Sequence, residues 1–292
     1  MIDFIRIVAP IEPQYSFNSI HPFEWQELIF VPKFKKGILK GFESEYKDLR
    51  VVLYYDKIEL SNSLHKFYKG NNYTDFAYSE LVNAIAEICI KFEIEAEYWE
   101  IKKMEFGFNI KTPQPANEYI DLFLEYKERK FDKMKNKQID YGRKCFLSEY
   151  SLKVYDKSYQ SKVVDSIAIS KKMLRVEFCY NQKRKLPEQI KNLADLMDRE
   201  KIKELYNDLS EAFAKVIFSE EVDFTGSTDE ERMLFFASTH ANYIKVEEGI
   251  NKSNTKAMKK RIKQLKERFF RKTFKKWFLK ALQDKYIELY CN

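Results

Sequence analysis

Alternation of apolar and polar side chains dominates the chain up to about residue 186, interrupted by segments whose apolar residues recur every three or four positions. The runs "DFIRIVAPI" and "LRVVLYYDKIEL" are rich in β-branched and aromatic residues and predict strands, whereas "SELVNAIAEICIKFEIEAEYW" has helical spacing with Ser79 as N-cap. In "KKMEFGFNI", Met104, Phe106, Phe108 and Ile110 take one face of a strand, and Lys103, Glu105, Gly107 and Asn109 the other. The stretch "EYIDLFLEYKERKF" reads as a helix. "YSLKVYDKSYQ" then reads as extended, with Lys153, Tyr155 and Lys157 sharing one face. "KKMLRVEFCYN" is a further strand, with Leu174, Val176, Phe178 and Tyr180 opposite Arg175, Glu177 and Cys179.

Strands with one apolar and one polar face, interleaved with helices, predict an α+β fold: an antiparallel or mixed sheet whose apolar side is covered by helices and whose polar side is open. After residue 186 the pattern is helical. Pro187 opens a helix, Thr228 or Ser227 caps a second group, and residues 231–270 read as a helix-turn-helix-like segment within an all-α unit. The expected division is a first domain at 1–186 and a helical, basic domain at 187–292.

Charge sharpens this picture. Residues 251–280 hold thirteen Lys or Arg against Glu267 alone, so a stretch of +12 sits in a chain of net charge +7. On the last helix Met258, Ile262, Leu265 and Phe269 form an apolar stripe, which leaves Lys259, Lys260, Lys263, Lys266 and Arg268 as candidate contacts to a polyanion such as DNA. The four cysteines lack CxxC spacing and read as free thiols in a reducing cytoplasm. No run is apolar enough to span a bilayer, and the opening "MIDFIRIVAPIEPQ" is unlike a secretory signal, so no membrane partner is expected.

Candidate chemistry lies on the polar strand faces. If the strands of Glu105, Tyr155 and Glu177 are neighbours, two carboxylates, a phenol and ammonium groups converge. Carboxylates hold a hard divalent ion, Mg2+ or Mn2+; a Tyr oxygen attacks phosphorus; a Lys stabilises phenolate and phosphate charge. His21, His65 and His240 stand alone, without the spacing of a histidine metal centre. GxGxxG, Walker A and Gly-x-Ser-x-Gly patterns are absent.

Five segments in order carry a resemblance: "MIDFIRIVAPI", "IELSNSLHKFYKGNNYTDF", "KKMEFGFNI", "YSLKVYDK" and "LRVEFCY". Over residues 1 to 185 the chain resembles the replication initiators of filamentous phages, the gene II type, and more loosely the replication initiation factors of rolling-circle plasmids. The resemblance implies that Tyr155 is the nicking nucleophile, with Lys157 beside it and Lys153 on the same strand. It implies that Glu177 and Glu105 are the acids of the Arg-x-Glu and central strands. Glu59, Lys66, Gly70 and Asn72 match the early motif. Lys103 and Glu105 stand where the family has Arg and Asp, and the histidine-hydrophobe-histidine of many rolling-circle nickases is missing, which points to metal ligation by Glu105, Glu177 and Glu59. Lys66, Lys69, Asn72, Arg143 and Lys144 are the expected DNA contacts of the first domain.

The function implied is replication initiation: nicking and rejoining one strand at a single-stranded or supercoiled origin through a 5′-phosphotyrosine, with Mg2+ or Mn2+. Recruitment of a host helicase and the oligomeric state stay open. The rival is a non-catalytic, sequence-specific DNA-binding regulator.

Overall fold

The computed structural model describes residues 2–13, 20–164, 166–169, 172–219, 222–239, 252–269 and 273–291. Its strands are β1 (Ile2–Pro10), β2 (Phe23–Trp25), β3 (Leu28–Lys35), β4 (Ile38–Tyr46), β5 (Leu49–Leu53), β6 (Lys57–Ser63), β7 (Glu100–Lys111), β8 (Phe123–Tyr126), β9 (Arg129–Lys130), β10 (Asp132–Asn136), β11 (Ile139–Phe146), β12 (Tyr150–Asp156), β13 (Met173–Tyr180) and β14 (Ile217–Phe218). The helices are α1 (Leu64–Lys69), α2 (Tyr78–Phe92), α3 (Ala116–Ile120), α4 (Lys157–Val164), α5 (Arg199–Ala214) and α6 (Asp229–Thr239), followed by α7 (Lys252–Phe269) and α8 (Thr273–Tyr286).

An 11-stranded sheet in the order β10-β11-β12-β13-β7-β1-β6-β5-β4-β3-β2 organises the molecule. Every pairing in it is antiparallel, so the α+β class expected from the alternation holds. Met104, Phe106, Phe108 and Ile110 of β7 are buried together with Leu174, Val176, Phe178 and Tyr180 of β13, the faces that the two-residue period assigns to the core.

Helices α5 and α8 cover that apolar face. Phe213 of α5, Phe278 and Leu282 of α8, and Tyr290 beyond it belong to the same continuous core as the strands. The boundary at 186 therefore falls between the sheet and its cover. Tyr290 lies 6.1 Å from Phe106 and 6.4 Å from Phe108, ring centre to ring centre. A smaller cluster of Phe235, Leu265 and Phe269 joins α6 to α7. The break expected at "NKSN", residues 251–254, is helical from Lys252, where α7 begins, and residues 240–251 lie outside the described residues. Thr228 caps α6 as expected, its Oγ1 accepting the Glu231 amide at 3.2 Å while Glu231 accepts the Thr228 amide.

Three local expectations fail for physical reasons. Helix α2 is capped at Ala77, whose amide donates to Glu80 Oε2 at 2.7 Å, rather than by Ser79. Residues 118–131 are a short helix followed by the hairpin β8–β9, because Lys127 and Glu128 both take positive φ, 49° and 62°, and form its two-residue turn. Extension stops at Asp156, whose Oδ1 accepts the Tyr159 amide at 3.0 Å and starts α4.

Candidate functional site

The register of β11, β12, β13 and β7 builds a grid on the polar face. Gly142, Tyr155, Arg175 and Asn109 form one row across the four strands; Lys144, Lys153, Glu177 and Gly107 form the next; Phe146, Ser151, Cys179 and Glu105 form the third. The adjacency that the sequence left conditional is thus present, and Glu105, Lys153, Tyr155 and Glu177 are brought together.

Two glycines make room. A Cβ on Gly107 would lie 3.0 Å from Glu177 Cγ and 2.0 Å from the Val176 carbonyl oxygen; one on Gly142 would lie 2.7 Å from Tyr155 Cβ. Each lets a large neighbour lie flat on the sheet.

Glu177 is the hub. Its Oε1 accepts the Tyr155 hydroxyl at 2.9 Å and Arg175 Nε at 2.7 Å, and its Oε2 pairs with Lys153 Nζ at 3.2 Å. Lys153 also donates to Glu105 Oε2 at 2.8 Å. Arg175 reaches Asp3 Oδ2 at 3.0 Å and Asn109 Oδ1 at 3.0 Å. Asp3 also accepts from Ser63 and Asn72.

The polar face is not open here. Asn72, in the loop after α1, donates to Asp3 and accepts from Lys157 at 2.6 Å, while Arg175, Glu177 and Lys157 are buried and Tyr155 is 6% exposed. Solvent reaches the group past Lys153, 17% exposed in its side chain, and Glu105, 13%.

Burial sets the electrostatics. It would raise Glu177, but Lys153 and Arg175 outweigh it and hold that carboxyl below its ordinary value. Asp3 is likewise held down against burial by Arg175 and Lys157. Glu105 is pushed up by burial and by the Glu177 charge. The Tyr155 phenol is pushed well above 10 by burial and then by Glu177. The expectation that flanking ammonium groups favour the phenolate is therefore reversed: the carboxylate on its oxygen and the lack of water win.

The remaining expected residues are placed less uniformly. Lys157 opens α4 instead of continuing the strand, and its ammonium is spent on Asn72 and Gln160, at 2.6 Å each. Glu59 pairs with Arg6 at 2.7 Å and stands outside the carboxylate cluster. Asn72 is buried, Lys69 pairs with Glu80, and Lys66 is half-buried on α1. Arg143 faces the opposite side of the sheet, beside Val154, and pairs with Asp121 and Asp140. Lys144 does lie on the site face, 4.1 Å above the half-exposed Phe146 ring. On α7, Ile262, Leu265 and Phe269 are buried as expected; Lys260 and Lys263 are exposed, and Lys259 is half-buried. Lys266 pairs with Glu125 at 3.7 Å and Arg268 with Glu231 at 2.7 Å.

Sequence reasoning gave no role to Asp3, Arg175 or Asn109. A glycine inside each of two otherwise well-formed strands was the available sign of close approach.

Glu105, Glu177 and Cys179 present ligand atoms within 4.8 Å of one another. The two carboxylates suit a hard divalent ion; the Cys179 thiol, pushed up by burial and Glu105, stays neutral and is a poor ligand for Mg2+. Beyond the cluster the same face continues through Lys103, 4.9 Å above the Phe4 ring, to a groove of about 600 Å3 lined by Arg6, Tyr54, Lys57, Glu59, Tyr98 and Lys102.

No protein-family model matches the chain, and no curated protein matches it. Among solved structures, one described as a rolling circle replication initiator protein from Geobacillus stearothermophilus is similar over 80% of this chain and 90% of that one, with 11% identity and a TM-score of 0.43. A likeness that distant carries no functional inference; the geometry above does.

Proposed function

We propose that the protein cuts and rejoins one strand of DNA through Tyr155 and thereby initiates rolling-circle replication. The observation that carries this reading is the Tyr155 hydroxyl donating at 2.9 Å to a carboxylate that two cations keep ionised. Glu177 is the base: it takes the phenolic proton as Tyr155 Oη attacks phosphorus, the Tyr–phosphate bond forms, and the P–O3′ bond breaks. The 3′-oxygen leaves with that electron pair and takes up a proton, giving a 3′-hydroxyl that primes synthesis and, on reversal, reseals the strand. Arg175 fixes Glu177 through Nε and is itself fixed by Asp3 and Asn109.

Glu105 and Glu177 would hold Mg2+ or Mn2+, which would supply polarisation of the scissile phosphate. Lys144 and Phe146 on one side, and Lys103, Phe4 and Arg6 on the other, suit a single strand whose phosphates meet cations and whose bases stack on rings. Exposed Lys260 and Lys263 on α7 add a grip on duplex flanks.

The burial of Tyr155 favours a second reading, in which the network is scaffold and the protein a DNA-binding regulator. The test is a denaturing gel of protein incubated with single-stranded or supercoiled origin DNA. A covalent adduct mapped to Tyr155 and lost in Tyr155→Phe supports cutting; DNA binding with no adduct under any condition supports the regulator.

A further inference from the structure

We infer that Lys153 is a resident cation in the carboxylate pair, which a divalent ion must displace before it can be held by Glu105 and Glu177. This rests on the metal-assisted reading above. The ammonium lies 2.8 Å from Glu105 Oε2 and 3.2 Å from Glu177 Oε2, against both carboxylates that would hold a metal. The buried group holds three acids, Asp3, Glu105 and Glu177, and three bases, Lys153, Lys157 and Arg175. A dication added to that balanced set leaves two uncompensated positive charges in a nearly dry site, and release of Lys153 removes one of them.

Of these three bases only Lys153 can leave; Lys103, 4.0 Å from Glu105 Oε1, already stands outside the buried set with 35% of its side chain exposed. Arg175 is buried and forked among Glu177, Asp3 and Asn109, and Lys157 is buried between Asn72 and Gln160. Lys153 keeps a partly exposed side chain on a flexible stem, and it faces Lys144, a like charge, across β11–β12. Once swung out, its ammonium stands beside Lys144, two positions along the strand from Tyr155, where a phosphodiester would carry the charge that both lysines need. The same ammonium thus keeps the carboxylates apart from water at rest and becomes a phosphate contact on loading.

The experiment measures Mn2+ binding to the full chain by electron paramagnetic resonance, without DNA, in wild type, Lys153→Met and Lys153→Arg. Removing the competing charge while keeping the stem should tighten Mn2+ binding about tenfold or more, and keeping the charge should not. Unchanged or weaker binding in Lys153→Met, equal tightening in both variants, or no binding to any of the three overturns the inference. If Lys153→Met does not fold in metal-free buffer, Mn2+ should restore its folding, and failure to do so also overturns it. Because DNA is absent throughout, a negative result removes the role of Lys153 and leaves the Tyr155 adduct to its own test.

Discussion

Glu177→Gln keeps the shape of the hub and removes its charge. Breaking a buried pair by deleting one partner costs about 3–5 kcal/mol. Here neither cation is orphaned: Arg175 retains Asp3 at 3.0 Å, and Lys153 retains Glu105 at 2.8 Å. The amide oxygen can still accept from Tyr155. The lower end, about 3 kcal/mol, is therefore expected at neutral pH, which is about 6–12 °C in melting temperature for a chain of this size. The folded pKa of Glu177 lies below the usual 4.5. Its stabilisation is thus present above that value and lost as pH falls through the folded pKa, so the gap between wild type and variant should close in acid. Urea unfolding followed by circular dichroism measures the gap. Removal of the charge also lowers the Tyr155 pKa, leaving the part due to burial, which ultraviolet absorbance of ionised tyrosine reports. A gap under about 1 kcal/mol at neutral pH, or one that persists unchanged in acid, would refute the hub assignment.

Tyr155→Phe should lose the covalent adduct yet cost only about 1–2 kcal/mol, because Glu177 keeps two cationic partners; adduct gels and thermal melts read the two effects separately. Gly142→Ala should displace Tyr155 and lower nicking by about tenfold or more while DNA affinity is kept, measured by single-turnover cleavage beside a filter-binding assay. Replacing both Lys260 and Lys263 by Gln should reduce the magnitude of the salt slope of log K by about 0.9 for every phosphate left without its lysine, with cutting of a short single strand unchanged; an unaltered slope makes α7 a solvated surface. Deletion of 251–292 cannot serve as that control, because it strips Phe278, Leu282 and Tyr290 from the core.

The faces of β7, β12 and β13 were legible because apolar and polar side chains alternate along each strand, and that alone assigns Glu105, Tyr155 and Glu177 to a common side, although the structure buries both faces of β13. Their adjacency was not, since register between segments far apart in the chain is decided by the sheet as a whole. Lys157 was misplaced because "DKSY" continues a two-residue period, although Asp156 at its head is also a helix cap. The hairpin at 123–130 was hidden by Ile120, Phe123 and Tyr126, three apart like helix positions, and by a turn made from lysine and glutamate instead of glycine or asparagine. Nothing local announces that Asn72 folds over the sheet, and with it went the burial that reverses the expected ionisation of Tyr155.

The packing of Tyr290 against Phe106 and Phe108 has a consequence for the order of events during synthesis. The strand carrying Glu105 is made early, yet part of the cover beneath it is made long afterwards, when α8 and Tyr290 leave the ribosome. Until then the apolar side of β7 lacks part of its lining, and the grid above it lacks a firm base. A nascent chain that already contains every residue of the site, but not yet α8 and Tyr290, should therefore be unable to hold Tyr155 against Glu177.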